Sequence, residues 1–101
     1  MRKRLEASLA EDPADAFLRY GLALRCLQEG DVDEGRFRLE ALIADDPENQ
    51  IAAYQQLGQS YMEADSPVEA RAWFTHGIAK ARAKGDGHAA AEMQGFLEGI
   101  G

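Results

Sequence analysis

The chain has 101 residues, 46% of them hydrophobic and 29% charged, which is enough for one folded domain with its own core and needs no disulfide or metal to hold it. A formal net charge of −7 argues against nucleic acid as the main ligand, because neutralising phosphates takes a clustered positive surface. One cysteine rules out an intrachain disulfide, and no apolar run approaches the roughly 18 residues that a membrane-spanning helix requires.

Taken in chain order, the first element is a short helix over about 2–11, opened by Arg2-Lys3-Arg4. Glu6 and Glu11 interrupt what would have to be the apolar core of a signal peptide, so a cytoplasmic location is expected. Asp12-Pro13 reads as an N-cap followed by proline at the first helical position, which starts a helix over 13–29. That helix carries apolar residues on nearly every face, a pattern normal for a helix covered all round. Asp31 opens a third helix over 32–45, with a Glu three residues on. Asp46-Pro47 then repeats the first device and starts a helix over 47–64. Ser66-Pro67-Val68-Glu69 has the form of a capping box ahead of a helix over 67–84. Gly85 ends that helix beside Lys84, and Asp86 caps a last one over 87–98. The connections are short, so successive helices pack antiparallel.

The two Asp-Pro pairs lie 34 residues apart, with two helices between them. Such a period with a helix–turn–helix unit marks a solenoid of stacked helix pairs. In the second unit Tyr54, Leu57-Gly58 and Tyr61 are followed by Ala70, Phe74 and Gly77. In the first, Leu22-Ala23 and Cys26 are followed by Gly35, Leu39 and Leu42, with Gly30-Asp31 at the turn. On these residues the chain resembles the tetratricopeptide repeat family, and in particular its small stand-alone bacterial members. The second unit matches closely. The first is looser, because Arg19 replaces the leading aromatic. One residue more between Pro47 and Tyr54 makes the helix-to-helix spacing 35.

The resemblance implies an all-α fold of two helix–turn–helix repeats in a short right-handed solenoid, 12–46 and 47–84. Residues 1–11 form an N-terminal helix and 85–101 a capping helix, with Met93, Phe96, Leu97 and Ile100 turned inward. It also implies a concave groove lined by the first helix of each unit. Phe17, Tyr20, Gly21, Leu24 and Gln28 give it an apolar wall. Ala52, Gln55, Gln56, Gln59 and Glu63 give it an amide-rich one. Family members that grip a partner's C-terminal carboxylate use Lys, Asn and Arg there. The matching positions here are Tyr20, Leu24 and Gln56, so that use is not expected. Either helix 2–11, through Leu5 and Leu9, or the capping helix covers the apolar wall, or the wall stays open as an anchor for a peptide.

No constellation for chemistry emerges. Cys26 falls on a packing position and reads as a small hydrophobe. His76 and His88 lack ligand partners at metal spacing. The eight carboxylates from Glu29 to Glu48 read as helix caps and a solvated face. The Trp73-Phe74 pair reads as core. The expected function is a non-enzymatic protein–protein interaction module without metal or cofactor, holding a peptide segment of a partner in the groove. The alternative is self-association, with the Phe17/Tyr20/Leu24 patch or the capping helix forming a homodimer interface.

Overall fold

A computed structural model describes residues 2–100, and among them every regular element is a helix. In chain order these are α1 (Arg2–Glu11), α2 (Ala16–Gln28), α3 (Val32–Asp45), α4 (Ile51–Glu63), α5 (Pro67–Ala83) and α6 (Gly87–Ile100). Each packs on the next, and the stack grows in one direction to an extent of 41 × 29 × 19 Å. None of the helices is long and apolar enough to cross a membrane.

The helix ends show why the turns are so short. Asp31 N–H donates to the Cys26 carbonyl, Ser66 N–H to Tyr61 and Asp86 N–H to Ala81, each at 2.8 Å. All three bonds span five residues, and each closes a helix over one residue in the left-handed region. That residue is Gly30 (φ +90°), Asp65 (φ +58°) or Gly85 (φ +76°). The glycines adopt this conformation freely, whereas Asp65 pays a steric cost for it.

Helix starts depart from the sequence reading at both Asp-Pro pairs. Helix α2 begins at Ala16, not at 13, and its N-cap is Asp15, whose Oδ1 accepts from Leu18 N–H at 3.1 Å. Helix α4 begins at Ile51, not at 47. In both places the Asp-Pro pair opens a turn that precedes the helix. Asp15 N–H bonds back to the Asp12 carbonyl at 3.1 Å, and Gln50 N–H to that of Asp46 at 3.3 Å. Neither Asp31 nor Ser66 caps its helix through the side chain, although Pro67 does occupy the first turn of α5. Asp86 does cap α6, accepting from Ala89 N–H at 3.1 Å. The starts of α2 and α4 are 35 residues apart (51 − 16), the spacing read from the sequence.

Two apolar clusters hold the stack. One joins α5 to α6 through Ala70, Phe74, Ile78, Ala81, Ala90 and Met93, with Phe96, Leu97 and Ile100 packed against it. The other joins α2, α3 and α4 through Ala23, Leu39, Ala53 and Leu57. Close helix approach depends on glycine at two positions in the second unit. A Cβ on Gly58 would lie 2.5 Å from the Phe74 ring, and one on Gly77 would lie 2.6 Å from Met93 Sδ. Those contacts are far inside van der Waals range, so only a bare backbone fits.

Candidate functional site

Stacking two helix pairs sets α2 beside α4 and leaves a cleft of about 480 Å³ between them. Leu24, Leu27 and Gln28 line it from α2, and Gln56, Gln59, Ser60 and Glu63 from α4. Val32, Arg36 and Ala64 close its far end. Of the residues read from sequence, Leu24, Gln28, Gln56, Gln59 and Glu63 meet in this one cleft. Tyr20 is not part of the cleft lining and packs, half-buried, against the cluster of Ala23, Leu39, Ala53 and Leu57. Burial raises the pKa of the Tyr20 hydroxyl, and the neighbouring Gln56 amide acts the other way.

The remaining positions lie elsewhere. Phe17 stands 82% exposed on the first turn of α2. Gly21 faces α1, and a Cβ built there would sit 3.7 Å from Leu5. Gln55 donates to the Glu92 carboxylate of α6. Ala52 is exposed and is not part of the cleft lining. The two terminal helices therefore each take one margin of the groove, α1 at Gly21 and α6 at Gln55. Neither covers Phe17 or fills the cleft, so the wall is covered only in part.

The sequence reading also left the groove without Lys or Arg, and this is corrected by Arg36. It comes from α3, outside the two helices assigned to the groove. Its Nε donates to Ser60 Oγ and its Nη2 to the Ser60 carbonyl, both at 3.0 Å. The guanidinium also lies 3.8 Å from the centre of the Tyr61 ring. Ser60 Oγ in turn donates to the Leu57 carbonyl at 2.8 Å. Arg36 thus ties the two repeats together and has few donors left for an acidic ligand. An arginine one turn into a second helix, opposite a serine of the next first helix, is the signal that could have located it.

The single cysteine is wholly buried on α2, as its packing position implied. Its thiol lies 3.1 Å from Glu34 Oε2. Burial, then the neighbouring Glu34, raise its pKa, so it holds its proton and is a poor nucleophile. Glu34 also accepts from Arg38 and Arg2. Arg2 reaches from α1 to Glu6, Glu29, Asp31 and Glu34. Part of the acidic stretch is therefore a docking point for α1 and not a solvated face.

Helix pairs stacked in register, a groove formed by first helices and a closing helix define a helical-repeat solenoid, a class built to present surface. No family model matches the sequence. A TPR repeat-containing protein of Pseudomonas aeruginosa is 33% identical over 97 residues, 96% of this chain and 91% of that protein. A Bordetella parapertussis protein solved in solution superposes with a TM-score of 0.86 at 28% identity, over 99% of this chain and 86% of that one. A tetratricopeptide repeat domain protein of Salinibacter ruber gives 0.81 at 29% identity, over 88% and 89%. The chain belongs to the tetratricopeptide repeat family. Proteins of this family generally mediate protein–protein interactions and are typically not enzymes.

Proposed function

We propose that this chain acts as one cytoplasmic unit, non-enzymatic, that holds a peptide segment of a partner protein in the cleft between α2 and α4. The observation that carries this reading is the open cleft itself. It sets Leu24, Leu27 and Val32 against Gln56 and Gln59. An apolar side chain of the peptide seats on the first set. The amides, each offering donors and an acceptor, bond its extended backbone. The test is affinity capture from source-cell lysate with wild type and a Tyr20→Glu, Leu24→Glu double variant that keeps its helical circular dichroism. A prey lost only with the variant supports the cleft. An unchanged set of captured proteins removes the cleft as the site.

A second reading, self-association, is favoured by one feature: Phe17 offers an aromatic ring to solvent at 82% exposure. The capping helix is the weaker surface for it, because Met93, Phe96 and Leu97 already pack inward. Light scattering decides this, and a strict monomer at high protein concentration removes it.

A further inference from the structure

On the far side of α4 from the cleft, a hollow of about 450 Å³ is lined by Ile43, Tyr54, Glu69, Ala72, Trp73 and His76. Four of these lie on α5 at positions i, i+3, i+4 and i+7, so they share one face of that helix. Tyr54 forms the floor. It is 3% exposed, and its hydroxyl is fixed by a 3.0 Å bond to the Pro47 carbonyl. Trp73 is tilted 53° to it with ring centroids 6.1 Å apart, and it is only half-buried. Two rings thus meet at an open angle, with Ile43 beside them. The exposed Glu69 sits one turn before Trp73, and among the described residues it has no ion-pair partner. No Lys or Arg lines the hollow.

We propose that this hollow is a second docking site, which takes an arginine side chain of a partner protein, its guanidinium stacked on Trp73 and paired with Glu69. Charge and shape both select this occupant. The rings offer negative faces, the carboxylate is free, and the chain as a whole carries −7. A planar guanidinium stacks on an aromatic ring and pairs with a carboxylate at once, which the compact ammonium of lysine does less well. The aliphatic stem of arginine lies against Ile43 and Ala72. The volume exceeds one side chain, so flanking residues of the partner enter as well. The site is independent of the α2–α4 cleft, because none of its lining residues is shared with that cleft.

Trp73 is the only tryptophan, so its emission and its indole N–H resonance report on this hollow alone. The probe is a blocked five-residue peptide, Ala-Ala-Arg-Ala-Ala, titrated to millimolar concentration against the full chain. Its citrulline and leucine counterparts run alongside. Saturable change with the arginine peptide is expected. Binding should weaken about threefold to fivefold in Glu69→Gln, the scale of an exposed ion pair, and be unaffected by Leu24→Glu. The citrulline peptide keeps the shape without the charge and should bind more weakly. Equal binding of all three peptides, no saturable change, or a Glu69→Gln variant that binds as wild type would each overturn the assignment. Glu69 is exposed, so that variant is expected to keep the fold, and circular dichroism checks it.

Discussion

At its carboxy-terminal end the stack is closed by α6, which seats a fully buried Met93 and stacks Phe96 on Phe74 with ring centroids 5.4 Å apart. At the other end α1 buries no residue at all, and leans Leu5 and Leu9 half-covered on its neighbour. What fastens it is Arg2, which spans from α1 to Glu29 at the end of α2 and to Asp31 and Glu34 at the start of α3. One end is held by area removed from water, the other by charge. The difference teaches where stability resides. Apolar burial survives salt and pH, whereas exposed ion pairs are weak and depend on both.

The sharpest way to break this comparison is to truncate one apolar side chain at each end. Met93→Ala leaves a cavity beneath α6 and should cost about 3 kcal/mol, within the range for buried Met to Ala. Leu5→Ala, half-exposed on α1, should cost under about 1 kcal/mol. Urea denaturation of both variants measures this. Equal losses would show that α1 is held by burial after all.

A smaller contrast lies between the two repeats. Gly58 meets Phe74, whose ring is wholly buried and has nowhere to move, whereas Gly35 meets the half-exposed Leu27 at 2.7 Å. Gly58→Ala should therefore lose about 2 kcal/mol by overpacking. Gly35→Ala should lose less, about 1 kcal/mol, because the Leu27 side chain can swing aside whereas the Ala23 carbonyl, 3.1 Å from the added Cβ, cannot. The gain in helix propensity is common to both variants. A variant at Gly58 that melts with wild type would mean that α4 and α5 do not approach as closely as the structure places them.

This same contrast explains what the sequence made legible. Tyr54, Leu57-Gly58, Phe74 and Gly77 fit the family pattern because each is dictated by close packing, and close packing tolerates few residue types. The order of helices and their 35-residue spacing followed from that pattern and from the turns. The starts of α2 and α4 were misplaced by three and four residues. Asp-Pro suits a helix start and a turn equally. At α2 the bond from Leu18 N–H to Asp15 decides between them, and at α4 the backbone turn from Asp46 to Gln50 does, with no side-chain cap. The cleft was half legible. Leu24, Gln28, Gln56, Gln59 and Glu63 follow from helical period, but Arg36 and Val32 arrive from α3 through packing. Gln55 and Gly21 were lost to terminal helices whose docking depends on individual side chains, not on period. The role of Arg2 was hidden for the same reason, since its partners lie 27 to 32 residues away.

The smallest effect sharpens the amino-terminal half of the comparison through pH. Glu34 is held down to about 2 from its usual 4.5, first by the Cys26 thiol, then by Arg38 and Arg2. A carboxyl with a depressed folded pKa binds protons less readily than the unfolded chain does. Its contribution to stability is therefore complete above about pH 4.5 and drains away as pH falls toward 2. Wild type should be more stable than Glu34→Gln at pH 5, and the gap should shrink steadily and nearly close by pH 2. Other carboxylates titrate in both proteins and cancel in the difference. Salt should narrow the part of that gap that Arg38 and Arg2 supply, because they lie toward the surface, and leave the part supplied by the buried Cys26 thiol. Amide exchange locates the effect: α1 should lose protection before α6 does as the pH drops. A gap that stayed constant from pH 5 to 2 would show that Glu34 is not held down in the folded chain, and α1 and α6 opening together would show that Arg2 and its carboxylates do not hold that end of the stack.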